Sequence, residues 1–473
     1  MRRISSIVLA VVMLLCAFSS CAAQPAQQPS SDAAEQDEPL SQPAPEPSVS
    51  LTLYAQPYFA KAENGQSFAQ ELVAAFTAVH PEISITLHEL AADQAAEQTL
   101  SEAVKAGQVD LLFDSPDTAI YYARRGALAD LSPLYTEEVK ASLAQGVIDA
   151  CSEGQMQYLY PIGVSPYLMA FNKEMLEAAG LLALLPYERS ETRAWTVEEY
   201  TVLLTALKGK LPEGVSTGML YAKSSSGDAA TRALLQNLYG ASFISNDRSE
   251  YTFGGDAGKK AFAWLNKTVQ DGLLAVDGEK TSADVVKDFV GGKTAHTILY
   301  SVGLANNYAT GKKDSFTEIF MPYPTQQGKD FTLEYSLYGL SVFDHGDSAK
   351  VAAAQTFINF VATDRQYSRM AAVMTGGISP DFRINELRYD KEYNYVESLK
   401  ANLGSYVPAA EGYDLMKTYW FDAVADAAQK DAKTDTILEA FVKDAAQTLK
   451  DAQTEREAEQ KTTASEGDSA SSK

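Results

Sequence analysis

Residues 49–113 alternate between strand-like and helix-like segments, and this order restricts the fold more than any other feature of the chain. The strand-like segments are VSLTLY at 49–54, ISITLH at 83–88 and VDLLF at 109–113, separated by helix-like segments at 67–80 and 94–106. Strands that alternate with helices in this way build a parallel sheet covered by helices. The sequence therefore predicts an α/β fold.

Polar residues mark the ends of several predicted helices. Ser67 with Gln70, and Thr196 with Glu199, have the spacing of a capping box, in which two side chains satisfy the first backbone donors. Further helices are predicted at 349–363 and 435–450. The charged and polar segment that follows, 453–473, is predicted to be a disordered tail.

The N-terminal segment has the features of an exported, lipid-anchored protein. Arg2 and Arg3 precede an apolar run that is too short to span a bilayer, which predicts a signal peptide at 1–20. Small residues before Cys21 indicate lipidation of that cysteine; the alternative is ordinary cleavage after Ala23. The proline-rich segment 21–49 is then a disordered tether, which places the protein outside the cell membrane, on its outer face.

Length and charge limit the organisation and the partners of the remaining chain. A chain of 473 residues exceeds the size of a single hydrophobic core, so two lobes are predicted. The net charge of −23 argues against binding to nucleic acid or to anionic lipid headgroups. Cys151 is the only cysteine of the body, so we expect a buried thiol and no intramolecular disulfide. Separately, we expect the protein to be a monomer.

Signatures of catalysis are weak. The segment GGKTA at 291–295 lacks the first glycine of a phosphate loop, and His88 lacks the second histidine of a zinc-protease helix. Ser165 lacks the second glycine of a nucleophile elbow. We therefore expect no metal, no cofactor and no enzymatic activity, and we expect a small solute to bind between the lobes.

Seven segments in sequence order resemble the family of bacterial extracellular solute-binding proteins of ABC importers, in its maltose-binding branch. They lie at 109–134, 158–181, 194–208, 289–308, 319–328, 352–380 and 406–424. The resemblance implies a two-lobed periplasmic-binding-protein-like fold, in which each lobe has a mostly parallel sheet flanked by helices and a hinge joins the lobes. It also implies hinge closure on a small solute, a sugar or oligosaccharide, and delivery to ABC permease subunits. The implied first lobe is 50–162 plus 322–385, and the implied second lobe is 163–321 plus 386–452.

The resemblance also implies ligand-binding residues. In the first lobe they are Asp114, Asp117 and, at the rim, Tyr58 with Phe59; in the second they are Tyr300, Ser301 and Trp420, with Tyr419 as the alternative to Trp420. Tyr338 and Arg232 are weaker candidates. Helix capping is the alternative role for Asp117, and core packing is the alternative for the aromatic residues. Asp114 stands where the maltose-binding branch has an aromatic residue, so maltose specificity is not carried over.

The segment YPIGVSPYLMAFNKEML at 160–176 is unusual for a core strand because prolines and a glycine interrupt it. In the resembling family this segment crosses from one lobe to the other, so Pro161, Gly163 and Pro166 are expected to shape the crossing. Ser165 and Tyr167 are then expected beside the cleft.

Two other functions fit an exported two-lobed protein. One is a carbohydrate-active enzyme such as a glycosidase, which would turn over a bound glycan. The other is a solute sensor or scaffold on the same fold. Neighbouring genes for permeases would favour transport, and a neighbouring sensor kinase would favour sensing.

Overall fold

The computed structural model describes residues 48–59, 62–63, 66–91, 95–384 and 390–471, of which residues 62, 63, 66 and 462–471 are described for their backbone alone. The predicted signal peptide, the lipidation site Cys21 and residues 21–47 of the predicted tether lie outside the described residues. None of the helices in the described part combines the length and the apolarity needed to cross a bilayer.

The strands of the described residues form two larger sheets and three short pairs. They are β1 Val49–Ala55, β2 Ala62–Glu63, β3 Gln66–Ser67, β4 Ile83–Glu89, β5 Leu111–Asp114, β6 Ser152–Glu153, β7 Met156–Gln157, β8 Tyr160–Pro166, β9 Leu168–Asn172, β10 Met219–Tyr221, β11 Ala275–Asp277, β12 His296–Tyr300, β13 Glu318–Met321 and β14 Tyr335–Val342.

The α-helices cover the sheets and the surface between them. They are α1 Phe68–Val79, α2 Ala95–Lys105, α3 Pro116–Arg124, α4 Glu137–Ala141, α5 Gln145–Ala150, α6 Lys173–Ala178, α7 Val197–Lys208, α8 Ala229–Tyr239, α9 Asp256–Gln270, α10 Ser282–Val290, α11 Val302–Asn307, α12 Ser348–Thr363, α13 Arg365–Met374, α14 Lys391–Ser398, α15 Tyr413–Ala427 and α16 Thr434–Ser471. Both predicted capping boxes are present, at Ser67 and at Thr196.

The first lobe is built on a five-stranded sheet in the order β4-β1-β5-β14-β8. The predicted strand-helix-strand alternation gives parallel pairs of β1 with β4 and of β1 with β5. β14 returns from the second lobe and pairs antiparallel with both β5 and β8. The sheet is therefore mixed, because one strand that the chain adds after the crossing, β14, makes half of its pairings.

The second lobe is built on a three-stranded sheet in the order β12-β9-β13, with a separate parallel pair of β10 and β11. β9 pairs antiparallel with both of its neighbours. The α/β class and the two lobes predicted from the sequence are present. The expectation of mostly parallel sheets is wrong for the three-stranded sheet, because β12 and β13 both run against β9.

The first crossing between the two sheets is a single residue. β8 ends at Pro166 and β9 begins at Leu168, so Tyr167 alone connects them. The crossing thus lies after residues 163–166, which the sequence-based boundary assigned to the second lobe. Pro161 and Pro166 are instead residues of β8, and its place at the edge of the sheet tolerates missing backbone donors.

Gly163 has a packing role inside β8. An added Cβ would lie 2.1 Å from Oγ1 of Thr375, at the end of α13. The glycine therefore lets the end of α13 approach the strand. Ile378, shortly after that helix, exchanges two backbone hydrogen bonds with Val164 on this edge. Pro161, Gly163 and Pro166 thus belong to an edge strand, and the segment that follows α13 covers this edge.

The last helix is longer than the sequence predicts. α16 continues to Ser471, through most of the segment 453–473 that was predicted to be disordered, and this prediction is corrected. The segment EREAEQK consists mainly of strong helix formers. In addition, Nε of Arg456 bonds Oε1 of Glu411 at 2.7 Å, and Nη2 of Arg125 bonds Oε2 of Glu459 at 2.8 Å. Local propensity and these ion pairs together explain the continued helix.

Candidate ligand-binding cleft

A cavity of about 1040 Å³ lies between the two lobes. First-lobe residues come from the segment after β1, from the end of β5 with α3, and from β14; second-lobe residues come from the beginnings of α8 and α15. This volume is just above the range of about 300–1,000 Å³ that is typical of small-molecule sites. A hollow of about 1080 Å³ within residues 182–202 is formed by the second lobe alone. The cleft is the better candidate because residues of both lobes and of the crossing line it.

Several residues predicted from the sequence line this cleft. They are Tyr58, Asp114, Asp117, Tyr167, Arg232 and Tyr338. They come from both lobes and from the crossing, and they are spread along the chain between positions 58 and 338. The structure brings these residues together, while their contact with a ligand stays a prediction.

Tyr300 and Ser301 do not line the cleft. Tyr300 is fully buried and packs edge-to-face on Phe289, with 5.4 Å between ring centroids. Ser301 is the N-cap of α11, where its hydroxyl oxygen accepts a hydrogen bond from the backbone N–H of Leu304. The predicted platform is thus part of the second-lobe core, since β12 is covered by helices on this side.

Trp420 is also a core residue. Its side chain is fully buried on α15 and packs against Phe243 and Phe441, and its Nε1 donates to Oγ1 of Thr231 at 3.0 Å. Its neighbour Tyr419 is partly buried and does not line the cleft either. The aromatic residues expected from this helix therefore stabilise the second lobe, because the helix turns both of them away from the cavity.

Two first-lobe candidates are likewise structural. Ser165 is buried and lies opposite Ser336 in the ladder between β8 and β14; it is Ser336 that lines the cavity. Phe59 is fully buried and stacks on Phe113, with 3.5 Å between ring centroids. The cleft is lined instead by Ser336, which lies opposite Ser165 on the neighbouring strand, and by Tyr58, which precedes Phe59 in the chain.

Asp114 is the most buried carboxylate at the first-lobe wall. Its side chain is 5% exposed, and its oxygens accept hydrogen bonds from Nε2 of Gln56 at 3.0 Å and from the backbone N–H of Ser115 at 2.7 Å. Burial raises the pKa of this carboxyl to about 6, although both hydrogen bonds act in the opposite direction. Within the described residues it forms no ion pair, so its charge at neutral pH is stabilised by dipoles alone.

Asp117 lies three residues further along the chain, in the first turn of α3. The N-cap of this helix is Ser115, so capping is not the role of Asp117. The hydroxyl of Tyr406 donates to Oδ1 of Asp117 at 3.1 Å. Burial raises the pKa of this carboxyl also. Two desolvated carboxylates thus face the cavity from the end of β5 and the start of α3.

Tyrosine rings give the same cleft an apolar surface in addition to its two carboxylates. Tyr58 stacks on Tyr338, and Tyr335 packs on Tyr406 with 5.7 Å between ring centroids. Tyr167 adds a further ring at the crossing. Such rings offer flat apolar faces for stacking and hydroxyl groups at their edges.

A buried charge cluster closes the second-lobe side of the cleft. Arg232 is fully buried and donates to Oδ1 of Asp228 at 3.2 Å and to Oε1 of Glu334 at 3.0 Å. The hydroxyl of Tyr413 donates to Asp228 as well. Burial raises the pKa of Glu334 to about 7, against the attraction of Arg232. The backbone carbonyl of Glu334 accepts from the N–H of Tyr167 at 2.8 Å, which ties this cluster to the crossing.

Of this cluster, only Arg232 was predicted from the sequence. The spacing of Asp228 and Arg232 is that of an i, i+4 helical pair, which was a readable signal. Glu334 lies 102 residues beyond Arg232 and had no local signal. Its position is decided by the return of the chain into β14.

The arginines at the cleft are all engaged by carboxylates. Besides Arg232, these pairs are Arg124 with Glu153, Arg125 with Glu459 and Arg456 with Glu411. Among the described residues that line the cavity, no arginine is left to bind an anion, while Asp114 and Asp117 have no cationic partner. The cleft is thus suited to a ligand that donates hydrogen bonds and presents apolar faces.

Comparison with known proteins identifies the family. Residues 71–381 match the family model described as bacterial extracellular solute-binding protein. A protein of Streptomyces antibioticus, named as an uncharacterized lipoprotein in the oleD 5′ region, is 24% identical over 310 residues. The match covers 64% of this chain and 65% of that relative, which is less than two thirds of its length.

Solved structures of sugar-binding proteins have a similar fold. The sugar-binding protein MalE of Xanthomonas citri is 16% identical with a TM-score of 0.69, covering 86% of this chain and 99% of that one. The cyclic alpha-maltosyl-1,6-maltose binding protein of Arthrobacter globiformis is 17% identical with a TM-score of 0.68, covering 85% and 99%. At these identities the likeness shows a shared two-lobed fold, and the family model matches well over half of the chain. The chain belongs to the bacterial extracellular solute-binding protein family.

Proposed function

We propose that this protein is the solute-binding subunit of an ABC importer and that it captures a sugar or oligosaccharide between its two lobes. The observation that carries the proposal is the cleft itself. It combines stacked tyrosine rings with two desolvated carboxylates and has no unpaired arginine among the described residues that line it. Pyranose rings present apolar C–H faces and many hydroxyl donors, and this lining complements both.

Closure about the connections between the lobes would enclose the solute. Tyr167 is the whole of the first connection, and the second lies between the end of β13 at Met321 and the start of β14 at Tyr335. Only a closed cleft lets both lobes contact one solute, so binding energy favours closure. Tyr167, being at once a connection and a cleft residue, couples the two events.

We further propose delivery to membrane permeases from a lipid-anchored position on the outer face of the cell membrane. The family is extracellular, and one relative is named as a lipoprotein. The predicted lipidation of Cys21 and the predicted tether agree with an extracellular family and with a relative that is named as a lipoprotein. The solved neighbours named as sugar and cyclic maltosyl-maltose binders support the saccharide class.

A thermal-shift screen of the chain against solutes tests the proposal. The probes are a saccharide library of mono-, di- and oligosaccharides with different linkages, including maltose and maltotriose, with amino acids, polyamines and sugar phosphates as other classes. A saccharide at a hundred times its dissociation constant is expected to add about 2.7 kcal/mol to the free energy of unfolding. Product analysis after prolonged incubation is expected to recover the saccharide intact.

Each other outcome has a defined meaning. A shift with amino acids, polyamines or sugar phosphates and none with saccharides would exclude the saccharide proposal and keep solute binding. No shift with any probe would contradict solute binding in this cleft. Cleavage of the saccharide would contradict a purely binding role. The Tyr58→Ala, Asp114→Asn double variant should lose the shift, while Trp420→Phe should keep it.

A further inference from the structure

The last helix of the chain contacts both lobes. Its first part belongs to the second lobe, because Phe441 packs on Trp420 in the core beside α15, and Lys259 of α9 pairs with Glu439 at 3.0 Å. Its later part reaches α3, a helix of the first lobe: Glu459 pairs with Arg125, the residue that caps the end of α3. The side-chain amide of Gln460 donates to the backbone carbonyl of Arg124 at 2.6 Å.

The same helix also forms part of the cleft surface. Ala452, Glu455 and Arg456 line the cavity beside the loop that precedes α15. Arg456 is held there by Glu411 of that loop, with 2.7 Å between Nε and Oε1. These three residues lie just beyond the part of the helix that packs in the core of the second lobe. Residues 452–456 of α16 therefore add a wall that the two sheets and the other helices do not supply.

We propose that residues 452–460 are a size-limiting wall of the solute site. These residues belong to a helix that packs on the second lobe, and they contact the first lobe at Arg124 and Arg125. They therefore block the cleft at this end when the lobes are together. Provided that the cleft binds saccharides as proposed above, the wall restricts the solute to one that ends inside the cavity. A longer glycan chain would have to displace the helix.

Thiol labelling inside the cleft tests the wall without any solute. Thr118 lines the cavity, so Thr118→Cys is the reporter in a full-length chain that also carries Cys16→Ser and Cys21→Ser. The native Cys151 is fully buried, and burial raises its pKa to about 12, so it should not react at neutral pH. The measured quantity is the ratio of labelling rates for a bulky maleimide-polymer and a small methanethiosulfonate reagent.

Removal of residues 452–473 is expected to raise this ratio at least about ten-fold, since the bulky reagent gains access. The full-length double variant Arg456→Ala, Glu459→Ala should raise it about three-fold. Because it removes only partly exposed ion pairs, it should remain folded and so decide the question if the truncated chain does not fold. The matched control Glu439→Ala removes an ion pair from the core-packed part of the same helix and should leave the ratio unchanged.

Two results would overturn the wall. One is an unchanged ratio in a truncated chain that keeps the melting temperature of the full chain or, if the truncated chain does not fold, an unchanged ratio in the folded double variant. The other is an equal rise in the Glu439→Ala control. Because no solute is used, either result leaves the proposed saccharide binding to be judged by the thermal-shift screen.

Discussion

The rings of Tyr58 and Tyr338 stack with 4.3 Å between their centroids and 28° between their planes. Tyr338 belongs to β14, and Tyr58 follows β1 and is 45% exposed. An exposed ring that is held by a second ring offers a preorganised flat surface at the mouth of the cleft. Preorganisation of this kind saves the side-chain entropy that binding would otherwise cost.

Tyr58→Ala is expected to weaken saccharide binding about ten-fold, because an aromatic contact contributes on the order of 1 kcal/mol beyond its buried area. Titration calorimetry with the saccharide that gives the largest thermal shift measures the change. Tyr308→Ala, a partly buried tyrosine of the second lobe outside the cavity, is the control and should keep the affinity. Equal affinities of the Tyr58→Ala variant and the unmodified protein would contradict the stacking role.

Asp114→Asn is expected to weaken binding and to stabilise the unliganded protein at neutral pH. The pKa of this carboxyl is raised from 3.8 in the unfolded chain to about 6 in the folded protein. The stability that the protonated carboxyl contributes is complete below about pH 3.8 and is lost as the pH rises through about 6. Asparagine keeps an oxygen that can accept from Gln56 and Ser115 without this loss. We expect a gain of about 1–3 kcal/mol at pH 7 and no gain at pH 3.5, measured by urea unfolding.

Asp110→Asn is the matched control for this prediction. Asp110 is an equally buried carboxylate of the first lobe, but it pairs with Lys350 at 2.9 Å and lies away from the cavity. Loss of the ion pair should lower stability by about 1 kcal/mol and leave the affinity unchanged. If Asp114→Asn destabilises the protein as Asp110→Asn does, then Asp114 is paired in the native state and the prediction is wrong.

Arg232→Met is expected to cost about 3–5 kcal/mol at neutral pH, because it leaves Asp228 and Glu334 as buried carboxylates without a cation. Urea unfolding of the variant measures this. The triple variant Asp228→Asn, Arg232→Met, Glu334→Gln removes the charges together and should recover most of the loss. Arg232→Met with unaltered stability would show that the charge cluster is not formed.

Trp420→Phe is expected to leave saccharide affinity unchanged, while Trp420→Ala should lose about 3–5 kcal/mol of stability because it opens a cavity among the rings of the second-lobe core. Affinity and unfolding free energy are measured on the same preparations. A selective loss of affinity in Trp420→Phe, with stability retained, would return this residue to the site.

Local signals were sufficient for the elements that carry their own start and stop residues. The capping boxes at Ser67 and Thr196, and the parallel strands β1, β4 and β5, follow from spacing within about ten residues. Asp114, Asp117 and Tyr58 lie at the cleft because they stand at or just after the carboxyl ends of strands that the sequence predicted. For these residues, a position next to a predicted strand was sufficient to predict a position at the cleft.

Tertiary structure alone decided the remainder. An aromatic residue after an apolar strand, such as Tyr300, or on an apolar helix, such as Trp420, fits a core and a cleft equally well in the sequence; packing from distant helices decides between them. Tertiary contacts likewise join Arg232 to Glu334 across 102 residues in a buried pair, and the last helix to α3 across more than 300 in a partly exposed pair. The sequence by itself determined the class of fold, the family and one wall of the site. The opposite wall depends on contacts between segments far apart in the chain, whose free energy exists only once the lobes have formed.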